Sequence, residues 1–212
     1  MVDRKLHIYL TKKRKAEETT LYDRDVVEWL KEPYLKNFEK CALVANLPPS
    51  ILKSLHNKKT EAEIQSVLSR VQDGKDKTGI VINVVDGKPK FVHRRFGEYF
   101  TALWFSRKFE LNRIVMERIL FDNSYRVMRD VFEKMLAKGC PLHYAVLQRD
   151  RGRYETLLEE GCDVSAVDKG GRTFMHIIAT CDCTLLDIIN RVTEYEVSLD
   201  NRDSVLQWTP LQ

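Results

Sequence analysis

The sequence predicts a mainly α-helical protein that contains a single β-hairpin, and three observations support this. Only 9 Gly and 6 Pro occur among 212 residues, a composition that favours helix. Apolar side chains recur at helical spacing along most of the chain, and only residues 80–92 change to a β-branched, strand-like pattern. One segment near the C-terminal end recurs after 33 residues, which predicts helical repeats.

Composition places the chain among globular proteins of the cell interior. Hydrophobic residues make up 43% and charged residues 31%, as in ordinary globular domains. The five cysteines are odd in number and irregularly spaced, which argues against a disulfide framework and predicts a cytoplasmic location, with the nucleus as the alternative. No stretch approaches the ~20 apolar residues of a membrane helix, and we predict no membrane association.

The charge changes sign along the chain. Residues 1–139 hold 28 Lys and Arg against 19 Asp and Glu, a net charge of +9, whereas residues 140–212 hold 7 against 12, a net charge of −5. This change predicts a module boundary near residue 139. A solvated helical surface is the favoured interpretation of the basic part, and a face for nucleic acid or acidic lipid is the alternative. The basic run Lys12–Lys15 could serve as a nuclear-import signal.

The first part of the chain predicts helices followed by a hairpin. Residues 1–20 are charged and patternless, which predicts a flexible N-terminus. In residues 21–106 the apolar side chains first recur at helical spacing, with Pro33 where one helix would end and another begin. A hairpin over 80–92 follows, turning at Asp86-Gly87. This order is that of a winged-helix-like region.

Residues 107–138 return to helical spacing, and Gly139 is suited to end the last of these helices. We expect them to connect the winged-helix-like region to the following repeats. Two repeats are fewer than the ~3 usually needed for a stable stack. The connecting helices are therefore expected to cap them.

The repeat begins at residue 140. Cys140-Pro141-Leu142-His143-Tyr144-Ala145 aligns with Thr173-Phe174-Met175-His176-Ile177-Ile178. The intervening segments 157–166 and 168–173 resemble the helix ending LLxxGADVNA and the hairpin DxxGxTPLH of the ankyrin-repeat family. This resemblance predicts an ankyrin-repeat α-solenoid of about two repeats over 139–212, with repeats at 140–172 and 173–208. A third starts at 209, which predicts that the chain is a piece of a longer protein.

Several residues are expected to hold the repeats together. Pro at a first helical turn needs no N–H partner, Gly ends a helix or forms a tight hairpin, and small or branched apolar residues fill the layer between repeats. The resemblance implies that the repeat histidines support the hairpin by hydrogen bonding to backbone. The predicted structural residues are Pro141, Leu142, His143, Ala145, Gly161, Gly171, Thr173 and His176.

The ankyrin resemblance also implies how a partner would bind. Ankyrin stacks bind other proteins through their hairpin tips and inner-helix face, on a rigid concave surface and without chemistry. Position in the repeat assigns six candidate partner-binding residues. On the hairpin these are Asp168, Lys169 and Arg172, and at the inner-helix ends they are Leu147, Gln148 and Thr180.

A second resemblance covers the hairpin and the helix after it. Residues 88–102, KPKFVHRRFGEYFTA, are similar to the motif F-[VI]-H-R-[TS]-F-x-E-Y-[FL]-x-A of NACHT-type proteins, from which Arg95 and Gly97 depart. Large arthropod NACHT–ankyrin proteins join such a region to ankyrin repeats. The resemblance implies a role in intracellular signalling or as a scaffold.

No motif indicates catalysis, a cofactor or a metal. A phosphate-binding loop is absent, because Gly74-Lys75 is followed by Asp76 and Gly87-Lys88 by Pro89. Cys181-x-Cys183 with His176 lacks the second ligand pair of a zinc site. The predicted function is protein–protein interaction without enzymatic activity, with an unidentified protein as partner. The alternative is nucleic-acid binding by the basic winged-helix-like half, through Lys88, Lys90, Arg94 and Arg95.

Overall fold

The structure, a computed structural model, describes residues 24–55, 58–75, 78–111, 113–180 and 198–212. The predicted flexible N-terminus, the basic run Lys12–Lys15 and the Cys181-x-Cys183 pair lie outside these residues. The described chain is mainly helical with one small antiparallel sheet of two strands, as predicted. The chain forms two compact units that divide between Trp104 and Phe105.

Within the described residues, the first unit contains three helices, the hairpin and most of a fourth helix. In chain order these are α1 (Arg24–Asn46), α2 (Pro49–Leu55), α3 (Lys58–Gln72), β1 (Val81–Val85), β2 (Lys88–Phe91) and α4 (Arg94–Lys108), whose last residues belong to the second unit.

The expectation that Pro33 separates two helices is wrong, because α1 runs through it without a break. A proline inside a helix removes one backbone hydrogen bond and costs about 3 kcal/mol. The following turns of α1 bury Phe38, Cys41 and Ala42, and this apolar face offsets the cost. The Pro33 side chain itself is exposed, so its ring meets no tertiary obstacle.

The hairpin forms where the sequence predicts it. Asp86 and Gly87 both have positive φ, 52° and 72°, the backbone that the tightest hairpin turns require. The strands pair antiparallel, with Val84 opposite Pro89 and Val85 opposite Lys88. The register shifts between Val81 and Asn83, which is a β-bulge.

The core of the first unit lies between the hairpin, α1, α3 and α4. The Phe38 and Phe100 rings lie 5.3 Å apart at its centre, and Phe91 lies 6.1 Å from Phe100 on the hairpin side. Fully burying a large apolar side chain stabilises a fold by roughly 1.5–3 kcal/mol, so this cluster holds the hairpin against the helices. Its buried members are Phe38, Cys41, Ala42, Ile64, Leu68, Val71, Ile80, Val81, Phe96 and Phe100.

The second unit is built from short helices. The connecting helices are α5 (Arg113–Phe121) and α6 (Arg126–Leu136), and the repeat region contains α7 (Pro141–Leu147), α8 (Arg151–Glu159) and α9 (Phe174–Thr180). α6 is amphipathic and buries Met128, Phe132 and Leu136 at intervals of four residues. Asp150 caps α8 by accepting a hydrogen bond from the Arg153 N–H.

One apolar cluster joins α7, α8 and α9. Its buried members are Leu142, Ala145, Val146, Tyr154, Leu157, Leu158, Phe174, Ile177 and Ile178. No described helix is long and apolar enough to cross a membrane.

Candidate partner-binding surface

Two loops of the second unit share one backbone design. In the first loop (168–173) the Asp168 N–H donates to the Arg172 carbonyl over 3.0 Å, and in the second loop (203–209) the Asp203 N–H donates to the Trp208 carbonyl over 2.9 Å. The residue before each acceptor, Gly171 or Gln207, is left-handed, with φ of 68° and 60°. The second loop therefore repeats the first with one additional residue.

The leading aspartate organises each loop. Oδ1 of Asp168 accepts the N–H groups of Gly170 and Arg172 at 2.8 and 3.0 Å. Oδ1 of Asp203 accepts those of Val205 and Leu206, both at 2.6 Å. Each carboxylate accepts hydrogen bonds from backbone N–H groups that would otherwise be buried without partners. Asp203 was not among the predicted residues. Its signal in the sequence is its position six residues before Thr209, close to the separation of five positions from Asp168 to Thr173.

The repeat histidines bind the same point of successive loops. Nε2 of His143 lies 2.9 Å from the Arg172 carbonyl oxygen, and Nε2 of His176 lies 3.0 Å from the Trp208 carbonyl oxygen. A carbonyl only accepts hydrogen bonds, so Nε2 must carry the proton in both rings. On the other side of the His176 ring, Nδ1 accepts the Thr173 N–H at 3.0 Å.

Gln212 takes the place of a histidine at the third start. Its Oε1 atom accepts the Thr209 N–H at 3.1 Å, as Nδ1 of His176 accepts the Thr173 N–H three residues earlier in its own segment. The glutamine side chain also carries two N–H donors. The third repeat start was predicted from Thr209-Pro210-Leu211, and Gln212 was not among the predicted residues.

The loops stack on one another and on the end of α6. The Lys169 N–H donates to the Leu136 carbonyl at 3.1 Å, and the Ser204 N–H donates to the Gly170 carbonyl at 2.7 Å. A Cβ atom on Gly170 would lie 2.9 Å from both Leu136 and Val205. The first loop is therefore packed between α6 and the second loop, with no room there for a side chain.

Two of the predicted partner-binding residues are internal. Asp168 and Arg172 are only 5% and 9% exposed. Oδ2 of Asp168 accepts hydrogen bonds from Nε and Nη2 of Arg172 at 2.9 and 2.7 Å. Nη2 also lies 3.4 Å from the backbone carbonyl oxygen of Glu133. The assignment of this pair to a partner-facing surface is corrected, because loop stacking buries both side chains and their charges stabilise the loop.

The other four predicted residues remain accessible to different degrees. Lys169, Gln148 and Thr180 are exposed, and Leu147 is half-buried at the end of α7. Two further residues join them that sequence reasoning did not select. Tyr144 is 44% exposed and Val167 is 53% exposed, so both side chains are accessible to a partner.

A common face connects these accessible residues. Cys140, Tyr144 and Gln148 are four residues apart and so follow one side of α7. The Cys140 thiol lies 3.5 Å from the Val167 carbonyl, which places Val167 at the start of the same line. We call Val167, Tyr144 and Gln148, with Lys169 on the neighbouring loop tip, the loop–helix surface.

The predicted structural residues occupy internal or turn positions. Leu142, His143, Ala145, Thr173 and His176 are buried, and Pro141 is the first residue of α7. Gly161 follows α8 with φ of 76°, and Gly171 has φ of 68°. A Cβ atom on Gly171 would also lie 2.7 Å from the Ser204 hydroxyl, so this position requires glycine on two grounds.

Burial favours the neutral form of three groups in this region, His143, Glu133 and Cys140. Burial lowers the pKa of His143, against the opposing effect of its bond to the Arg172 carbonyl. Burial also raises the pKa of Glu133, although the Arg172 and Arg129 charges act in the other direction. Burial, followed by the Asp168 charge, raises the pKa of the Cys140 thiol. A thiol with a raised pKa is a weak nucleophile at neutral pH.

Across the described ranges, no group of three or more His, Cys, Asp or Glu side chains is placed to hold a metal ion. Comparison of the chain with protein-family models, curated proteins and solved structures gave no match. The ankyrin, winged-helix and NACHT resemblances therefore stay predictions.

Proposed function

We propose that this chain is a protein-interaction module whose residues 140–212 form ankyrin-type repeats and bind a partner through the loop–helix surface. The module acts by binding alone. The expectation of no enzymatic activity belongs to this proposal.

The repeated histidine contact carries the proposal. His143 and His176 are 33 residues apart and each donates to the carbonyl that precedes the next repeat start. A hydrogen bond that recurs with the sequence repeat supports stacked units of one kind, since each unit in such a protein contacts its neighbours in the same way. The Lys169–Leu136 and Ser204–Gly170 backbone bonds support the same interpretation, and the first of them supports α6 as the cap.

The loop–helix surface has the composition of a binding site. Tyr144 offers a large ring with a polar end at low entropic cost, and such residues are enriched at interaction hot spots. Val167 adds apolar area, while Gln148 and Lys169 supply polar contacts at its edge. Because the loops beneath are fixed by buried hydrogen bonds, little order is lost on binding.

The motif in residues 88–102 extends the proposal to the wider role of the protein. Its likeness to NACHT-type proteins supports a signalling or scaffold function inside the cell, in which the repeats recruit the partner. This extension rests on sequence similarity alone.

Partner capture with matched variants tests the function. The purified chain would be used as bait, and bound proteins would be quantified by mass spectrometry for the wild type and for Tyr144→Ala/Lys169→Glu. The control is Tyr99→Ala/Lys53→Glu, which makes the same changes at exposed positions of the first unit. We expect at least one protein to be retained by the wild type and the control and lost with the loop–helix variant. Identical capture by all three would refute the assignment of this surface.

A further inference from the structure

The exposed side of the β-hairpin carries a set of side chains that does not belong to the loop–helix surface. The side of the sheet that faces the core contains Val84 opposite Pro89, and the other side contains Val85 opposite Lys88 and Asn83 opposite Lys90. Pairing continues past the strand, because the Val92 N–H donates to the Ile80 carbonyl at 2.9 Å. Val92 follows Lys90 by two residues and is 42% exposed, so it shares the exposed side with Lys88 and Lys90.

The β-bulge adds an aliphatic side chain to this side. In a regular strand Ile82 would share the inner face with Val84, because side chains alternate. The extra residue between Val81 and Asn83 breaks the alternation, and both Ile82 and Asn83 are exposed. Ile82 is 59% exposed. At functional sites, β-bulges change the direction of a side chain in this way.

The result is an apolar strip with cations beside it. We call Ile82, Val85, Lys88, Lys90 and Val92 the ribbon face. Among the described residues no carboxylate forms an ion pair with Lys88 or Lys90, and Asp86 at the tip is the only acidic residue between 80 and 92. Such a surface complements a partner that is both apolar and acidic.

We propose that the ribbon face binds an acidic amphipathic segment of another protein, with aliphatic side chains on Ile82, Val85 and Val92 and carboxylates on Lys88 and Lys90. Nucleic acid fits less well. Phosphates would meet the lysines but would leave the aliphatic strip uncovered, and the ribbon face has no aromatic ring on which a base could stack. The proposal is independent of the repeat surface.

Fluorescence anisotropy with defined probes tests the proposal on the full chain. The main probe is a labelled helical peptide of about 18 residues with a Leu stripe and Glu on its remaining faces. Two matched peptides replace Glu with Lys, or Leu with Gln. A short DNA duplex and vesicles containing anionic lipid represent the other acidic partners.

The variants separate the ribbon face from net charge. Lys88→Glu/Lys90→Glu should weaken binding of the Leu/Glu peptide by about tenfold, as expected for the loss and reversal of two exposed charges. Lys53→Glu/Lys138→Glu makes the same charge change at exposed positions elsewhere and should leave binding within about twofold. Ile82→Ser should weaken it by about threefold or more, because an aliphatic contact is lost.

Four results would overturn the proposal. The first is that the Leu/Glu peptide does not bind at concentrations up to about 1 mM, the weak end of measurable recognition. The second is that both charge variants lose the same affinity for this peptide, and the third is that the peptide without Leu binds as tightly as the Leu/Glu peptide. The fourth is that the DNA duplex or the vesicles bind more tightly than the Leu/Glu peptide. An ¹H–¹⁵N correlation spectrum of each variant would show that the hairpin is retained.

Discussion

Nε2 of His176 lies 3.0 Å from the carbonyl oxygen of Trp208, across 32 residues of chain. The same atom of His143 lies 2.9 Å from the carbonyl oxygen of Arg172. The two histidines thus make the same hydrogen bond to two successive loops. These contacts should contribute to the free energy of unfolding.

Replacing His176 should destabilise the protein more with alanine than with glutamine. His176→Ala removes both ring contacts and leaves the buried Thr173 N–H without its acceptor, so we expect a loss of about 2–3 kcal/mol in the free energy of unfolding. His176→Gln should cost only about 1 kcal/mol, because Gln212 already shows that a glutamine can accept the N–H at this position. Urea unfolding measures both, and equal losses for the two variants would contradict the contact.

Removing the Asp168 carboxylate should be severe. Asp168→Ala leaves the Arg172 guanidinium buried without its partner and two backbone N–H groups without an acceptor, which predicts a loss of about 3–4 kcal/mol. Arg172→Met should cost less, and the double variant should be more stable than the sum of the single losses predicts, because the two side chains interact directly. Additive losses in the double-mutant cycle would show that the ion pair contributes no coupling.

The requirement for glycine at position 171 can be tested by comparison with Gly161, which has a similar backbone conformation but free space around it. Gly171 and Gly161 have φ of 68° and 76°, but only a Cβ on Gly171 would meet another atom, the Ser204 hydroxyl at 2.7 Å. Gly161→Ala should therefore cost only the left-handed strain of about 1–2 kcal/mol. Gly171→Ala should cost about 1–2 kcal/mol more, from overpacking between the loops. Equal melting temperatures for the two variants would place the second loop away from the first.

The lowered pKa of His143 predicts a pH dependence. Below the ordinary value of 6.5 the unfolded chain binds a proton at this histidine that the folded chain does not. Stability from His143 is thus fully present above about pH 6.5 and is lost as pH falls further, at up to about 1.4 kcal/mol per pH unit. The raised pKa of Glu133 acts with the opposite sign, because from its ordinary 4.5 upwards the folded chain binds the additional proton.

A comparison of the wild type with His143→Gln isolates this effect. Urea titrations between pH 5.5 and 7.5 should give a smaller loss of stability at low pH for the variant, since Glu133 is present in both proteins. Parallel pH profiles would mean that His143 titrates alike in the folded and unfolded chains.

The hairpin and the helical content could be read from the sequence because their signals are local. Asp86-Gly87 needs no tertiary contact to favour its turn, and helical spacing shows in any window of the chain. Pro33 shows the limit of local reasoning. The burial of Phe38 and its neighbours, which keeps α1 continuous, depends on residues distant in sequence.

The loops were harder to predict for a similar reason. A charged pair such as Asp168 and Arg172 at a hairpin is ordinarily solvated, and here the packing of its loop between α6 and the second loop buries it. That second loop has no glycine between Asp203 and Trp208 and uses Gln207 as its left-handed residue. It therefore lacks the sequence signature of the first loop while sharing its hydrogen bonds.

The most direct test of the repeated histidine contact is the tautomeric state of the two rings in solution. Long-range ¹H–¹⁵N correlation spectra at neutral pH, assigned with His143→Gln and His176→Gln, report which ring nitrogen carries the proton. The structure predicts the Nε2–H form for both histidines, because each Nε2 faces a backbone carbonyl. If either ring carries its proton on Nδ1, the matching contact is absent and the case for two stacked repeats fails.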